Sequence, residues 1–221
     1  MTTTRPDPPA PPVVSREEWQ GALGELLTEE KKLTRALDAL AARRRRLPMV
    51  AMAGYTFAGP DGPLRLEDLF LGRSQLVVYQ YMDAGPDHLC FGCASMMDNV
   101  PRLEHLNQRD ISWWMVSNMP LERLHTLRER FGWEFPYASS AQTSFSADCG
   151  AGDGFGLSVF LKTPAGVFQT YFTTQRGADR MRFDFNMMDL APYGRSETWE
   201  NSPEGWPQTP PYEWWRPHDE Y

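Results

Sequence analysis

The sequence predicts a mixed α/β fold with a dithiol at a strand-to-helix junction, on three observations. First, residues 75–82 form an apolar, β-branched-rich run (Leu76, Val77, Val78, Tyr79) that leads through a Gly85-Pro86 loop into Cys90-Phe91-Gly92-Cys93 and a helical pattern. Unbroken apolarity is the mark of a central strand covered on both faces. Second, residues 111–116 repeat the strand signal and 120–130 the helical one, so two consecutive strand–helix units require a parallel crossover. Third, residues 157–161 and 167–172 flank the turn Thr163-Pro164-Ala165-Gly166 and read as an antiparallel hairpin. A mixed sheet flanked by helices satisfies all three.

The remaining elements follow in chain order. Residues 1–14 hold five prolines and little to bury, and are expected to be disordered. Residues 15–48 form an N-terminal helical extension. Ser15 with Glu18 is a capping-box pattern, and Leu23, Leu26, Leu27, Leu33, Leu37 and Leu40 fall close to helical spacing before Pro48 ends the run. Such a helix packs on the body or pairs with another subunit as a homo-oligomer. Residues 49–191 make the main domain. It opens with Tyr55-Thr56-Phe57, a turn at Gly59-Pro60-Asp61-Gly62, and a short helix over 67–70. Residues 93–107 read as one helix kinked at Pro101. Pro120 starts the next helix and Gly132 ends it. Residues 178–190 read as a last helix. Residues 192–221 form a Pro- and Trp-rich tail whose Trp199, Trp206, Trp214 and Trp215 are expected to wrap over the body.

Length and composition narrow the function. The 221 residues fit one domain with appendages, and 41% hydrophobic content supports a core without metal or disulfide staples. A net charge of −7 argues against a nucleic-acid partner, because the basic run 43–46 lies at a helix end where it suits the macrodipole. No segment offers the ~20 consecutive apolar residues that span a membrane. The N-terminus lacks a secretory apolar region, so the expected compartment is the cytoplasm. There, three cysteines read as catalytic or metal-binding before structural.

Two thiols separated by two residues at a strand–loop–helix junction form a redox arrangement. The helix N-terminus stabilises a thiolate on the first, and the second lies one turn on, within reach of it. Cys90 is therefore the expected nucleophile and Cys93 the resolving thiol. His88, Cys90 and Cys93 also present an imidazole and two thiolates within six residues, which suits copper or another thiophilic ion. A further ligand would come from His125, Cys149 or His218. Cys149 reads as a buried small hydrophobe or a third redox partner. Asp98 is placed to handle a thiol proton or to lie on the helix surface. Arg176, after the last strand, steers an anionic substrate, lowers a thiol pKa, or forms a surface ion pair.

These residues resemble a known family. The Cys90–Cys93 motif, the stretch Gly132-Trp133-Glu134-Phe135-Pro136-Tyr137, the strand Gly156-Leu157-Ser158-Val159-Phe160-Leu161, the pair Arg176-Gly177 and the closing Trp215-Arg216-Pro217-His218-Asp219-Glu220-Tyr221 are similar, in order, to an uncharacterised bacterial family described as predicted dithiol-disulfide oxidoreductases. The resemblance implies a thioredoxin-like fold. Two departures stand out. The pair encloses Phe91-Gly92 and is followed by Ala94, where relatives carry proline inside the motif or serine after it. Thioredoxins also place a cis-proline before the strand facing the cysteines, where this chain has Gly154-Phe155-Gly156-Leu157.

Three functions follow as expectations. The first is a thiol-disulfide oxidoreductase using Cys90 and Cys93, needing no cofactor and acting on a redox partner or a small molecule. The second is a copper-binding protein or copper-dependent oxidase using His88, Cys90 and Cys93. The third is a partner-binding module with idle chemistry.

Overall fold

A computed structural model of the chain describes residues 9–221. The expected disorder over 1–14 falls partly on residues 1–8, outside the described residues; residues 9–14 are exposed and without regular structure. The described residues form two compact units, one of residues 9–48 with 188–211, the other of residues 49–187 with 212–221.

In the first unit, α1 (Arg16–Arg44) is a continuous helix. The capping box forms as the sequence predicts. The Glu18 N–H donates to Ser15 Oγ at 3.2 Å, and the Ser15 N–H donates to Glu18 Oε2 at 2.9 Å. Residues 188–211 are mostly turns, organised by buried Arg195. Its guanidinium clasps Asp189 with two 2.8 Å bonds, and its N–H donates to Glu200.

The second unit holds the sheet and the cysteines. Its elements are β1 (Val50–Ala51), β2 (Thr56–Gly59), β3 (Gly62–Arg65), a 3₁₀ turn (Asp68–Phe70), β4 (Gln75–Tyr81), α2 (Phe91–Asp98), α3 (Glu104–Asn107), β5 (Ile111–Ser117), α4 (Leu121–Phe131), β6 (Tyr137–Ser139), α5 (Phe145–Asp148), β7 (Gly156–Thr163), β8 (Gly166–Thr173), a 3₁₀ segment (Gln175–Met181) and α6 (Phe183–Leu190), with a last 3₁₀ turn at His218–Glu220. The strands form one sheet in the order β1-β8-β7-β4-β5-β6-β2-β3. β4 and β5 run parallel from Gln75 opposite Ile111 to Tyr81 opposite Ser117, and β7 returns antiparallel on the other side of β4. This is the mixed, thioredoxin-like arrangement expected from the sequence.

Alternation along the central strands sends side chains to two cores. Tyr79 and Tyr81 of β4 and Trp113 and Met115 of β5 face one cluster, with Cys93, Met96 and Met97 of α2 and Leu124 and Phe131 of α4. Leu76 and Val78 of β4 and Trp114 and Val116 of β5 face the other, with Phe57, Leu69, Phe70, Phe145 and Cys149. Both clusters are rich in aromatic rings at contact distance, among them Trp113–Phe135 and Phe57–Phe145 at 4.9 Å.

The structure corrects three details. The predicted 93–107 helix is two helices, because Pro101 has no N–H to donate and disfavours helical backbone at Val100. The predicted 178–190 helix is a 3₁₀ segment followed by α6. The 192–221 tail divides: only Tyr212–Tyr221 joins the unit that holds the cysteines.

Candidate functional site

Cys90 is the N-cap of α2. Its extended backbone (φ −75°, ψ 96°) turns the chain out of the loop after β4, and its sulfur accepts the Cys93 N–H at 3.3 Å. A thiol thus occupies the place where serine or aspartate usually satisfies the free N–H groups of a first helical turn. Cys93 Sγ lies 2.9 Å from Cys90 Sγ, and both are free thiols. Cys90 is partly exposed, whereas Cys93 is 1% exposed.

This geometry separates the two acidities. The hydrogen bond from the Cys93 thiol, joined by the N–H groups of Cys93 and Gly92, holds Cys90 below the ordinary thiol value despite its partial burial. Burial pushes Cys93 well up, as do the hydrogen bond it gives and the charge beside it on Cys90. Two groups oppose that rise: the Tyr79 hydroxyl and the Met82 backbone. Cys90 is therefore the more acidic thiol of the pair and Cys93 the less acidic one behind it.

The pair opens into a cavity of about 260 Å³. Tyr79 and Met96 line it on the side of the sheet and α2, and Phe155, just before β7, lies beside the Tyr79 ring at 6.4 Å. The 3₁₀ segment contributes Gln175, Arg176, Ala178 and Asp179. Arg182 is 3% exposed; it donates to Ser95 Oγ at 2.5 Å and forms two bonds with Asp184, at 3.1 and 2.5 Å. Its guanidinium stacks 3.5 Å from the Phe185 ring and 5.0 Å from Trp215. Burial of Asp184 raises its pKa, but the bonds and charge of Arg182 outweigh it and hold the carboxylate below its ordinary value.

The C-terminus supplies the roof. Tyr212 and Trp215, with ring centroids 4.3 Å apart, cover the thiols. A Cβ on residue 92 would stand 2.4 Å from Cζ3 of Trp215. Gly92, inside the motif, is the residue that lets the indole close over it. The strap is tied down beyond Trp215. Arg130 donates to Asp219 at 2.8 and 3.0 Å and to Glu220 at 2.7 Å. His218 Nδ1 lies 2.9 Å from Asp98 Oδ1, which also accepts the Trp133 indole N–H at 2.8 Å.

The residues singled out from sequence fall as follows. Cys90 and Cys93 come together, and Arg176 lines the same cavity, paired with Asp179 at 3.5 Å. His88 is exposed, with its carbonyl bound by Arg123, and is not gathered with the thiols. Among the described residues no group of three or more His, Cys, Asp or Glu side chains is arranged to hold a metal ion. The copper set of His88, Cys90 and Cys93 therefore lacks its third ligand, and the distant ligands do not supply one. His125 is bonded to Tyr137 at 2.7 Å, His218 is engaged by Asp98, and Cys149 packs in the opposite core. Burial pushes the Cys149 thiol up to about 12. Asp98 sits at the far end of α2, where it fastens the strap and does not reach a thiol. Sequence reasoning missed Tyr79 and Arg182 as parts of the site, whereas Trp215 was expected to wrap over the body and lies against Gly92. Among the described residues no helix is long and apolar enough to cross a membrane.

Solved structures with a similar chain course include peroxidoxin BcpB from Mycobacterium tuberculosis, at 19% identity over 61% of this chain and 93% of that one, with a TM-score of 0.43. Another is a secreted Mycobacterium tuberculosis disulfide oxidoreductase homologous to E. coli DsbE, at 11% identity over 55% and 83%, TM-score 0.39. A third is hypothetical protein SMc02350 from Sinorhizobium meliloti, at 14% identity over 57% and 69%, TM-score 0.42. No curated protein matches the chain. A family model does, over residues 8–221, and the chain belongs to the family described as bacterial protein of unknown function (DUF899).

Proposed function

We propose that the protein is a thiol-disulfide oxidoreductase in which Cys90 attacks a disulfide and Cys93 resolves the product. The observation that supports this reading is the asymmetry of the pair: a partly exposed thiol of lowered pKa at a helix N-cap, 2.9 Å from a buried thiol of raised pKa. Cys90 thiolate attacks one sulfur of the substrate disulfide. That bond breaks, a mixed disulfide forms, and the first substrate half leaves as a thiolate that takes a proton from water. Cys93 then loses its proton and attacks Cys90 Sγ. The second half leaves, and the Cys90–Cys93 disulfide remains. An external thiol reductant restores the dithiol. The enzyme gives up two electrons and the substrate gains them.

Equilibration of the protein with mixtures of reduced and oxidised glutathione, followed by acid quench and mass spectrometry, tests the proposal. The expected result is a reversible loss of two hydrogens, mapped to a peptide pair joining Cys90 and Cys93. Exclusive glutathionylation, with no internal bond at any ratio, would overturn it.

A further inference from the structure

α1 is 29 residues long, about 43 Å at 1.5 Å per residue, and none of its residues is buried. Yet it carries a continuous apolar seam. Trp19, Leu23, Leu26, Leu33, Leu37 and Leu40 recur at alternating steps of four and three, interrupted only by Glu30. That spacing is the heptad repeat of a left-handed supercoil, with Trp19, Leu26, Leu33 and Leu40 at d and Leu23, Glu30 and Leu37 at a. Leu26 is 56% exposed and Leu33 64%. An apolar seam at this period is complementary to another of its kind.

Charge identifies the occupant and its direction. Residues 16–30 hold five glutamates against one arginine, and residues 31–46 hold seven Lys or Arg against Asp38. A parallel partner of the same sequence would set acid on acid and base on base, and Glu30 directly on Glu30. An antiparallel copy reverses all three: each acidic half lies along a basic half, and Glu30 faces leucine.

We propose that α1 pairs antiparallel with α1 of a second copy of this chain through this seam. Leu23 lies opposite Leu40 of the second copy, Leu26 opposite Leu37, and Glu30 opposite Leu33. Trp19 comes to the level of Arg44, where a guanidinium can lie on the indole face. Glu30 at an a position lowers stability while fixing the register. The paired halves make association weaken as salt rises.

Light scattering on the full-length protein tests the pairing. At about 50 µM protomer the expected species is a dimer, with twice the 25.3 kDa chain mass. The double variant Leu26→Glu/Leu33→Glu should be monomeric with the parent's rate of Cys90 alkylation, since both side chains are exposed and lie outside the unit that holds the cysteines. Glu30→Leu should tighten association about tenfold or more. Orientation is read in a Cys90→Ser/Cys93→Ser background by adding Leu23→Cys to one chain and Leu40→Cys to another. The mixture should cross-link under oxidation, and Leu23→Cys alone should not. A monomer at that concentration, or a dimer untouched by the two glutamates, overturns the proposal. Cross-linking of Leu23→Cys with itself overturns the antiparallel arrangement.

Discussion

One added methyl group, Gly92→Ala, tests the roof of the dithiol cavity. The new Cβ would meet three atoms of one indole, at 2.4 Å (Cζ3), 3.1 Å (Cη2) and 3.3 Å (Cε3) of Trp215. None of these distances is tolerable without movement, so the ring must shift or the strap must lift. Overpacking of this kind costs about 1–3 kcal/mol. Against it stands the helical preference of alanine over glycine, about 1 kcal/mol in a helix interior. Gly92→Ala should therefore lower stability by about 0–2 kcal/mol. With Trp215→Ala the obstruction is gone, and the same substitution should raise stability by about 0.5–1 kcal/mol. The coupling in the cycle is then about 1–3 kcal/mol, above the few tenths expected of independent sites. Urea denaturation of the four proteins measures it. Iodoacetamide kinetics at Cys90 supply an independent reading, since both single variants should react faster than the parent. If alanine at position 92 changes stability equally with and without Trp215, the indole does not sit on the motif and the account of Gly92 fails.

Three further outcomes follow from buried groups. Cys149 has its pKa raised to about 12, so the unfolded chain ionises first and stability should fall by about 1.4 kcal/mol per pH unit between the ordinary thiol value and that point; Cys149→Ala should flatten this alkaline limb in pH-dependent denaturation. Asp184 has its pKa depressed, so its contribution is full above the ordinary carboxylate range and lost as pH falls through it. Arg182→Met removes the main partner of that half-buried carboxylate and should cost about 1–3 kcal/mol at pH 7, less at pH 4, measured by thermal melts. Tyr79→Phe removes a hydroxyl that lowers the Cys93 pKa against the effect of burial, and each unit of that lowering lost is about 1.4 kcal/mol. Closure of the internal disulfide should slow about tenfold or more in stopped-flow, with the Cys90 alkylation profile shifted little.

Much of this architecture was legible in the sequence because its signals are local. Apolar runs mark β4 and β5, the Ser15–Glu18 box marks the start of α1, and a turn marks the β7–β8 hairpin. What was not legible depends on distant partners. β6 is three residues long, Tyr137–Ser139, and is a strand only because Met115, Val116 and Ser117 lie alongside it. The short β1 exists through Gln169 and Phe168 of β8 in the same way. Pro101 announced a disturbance, but whether a helix bends or breaks there is decided by packing. In the site, the cysteine spacing and helix start were enough to place Cys90 at the start of α2 with Cys93 one turn on. The roof was legible only coarsely: the tail tryptophans are too apolar to stay free, but Gly92 and Trp215 are far apart in the chain and neither carries a mark of the other. Arg182, beyond Arg176, likewise reads as a surface charge until Asp184, Ser95 and Phe185 are seen around it.

The central claim is an order of events, Cys90 attacking and Cys93 resolving. It is tested most directly by trapping the first product. Cys93→Ser, mixed with a small aromatic disulfide, should accumulate a mixed disulfide at Cys90, seen as a single mass adduct on the Cys90 peptide. Cys90→Ser should remain unmodified at Cys93 over the same time, because that thiol is 1% exposed and its pKa is raised. Equal trapping at the two positions, or no adduct on Cys93→Ser, would contradict the account.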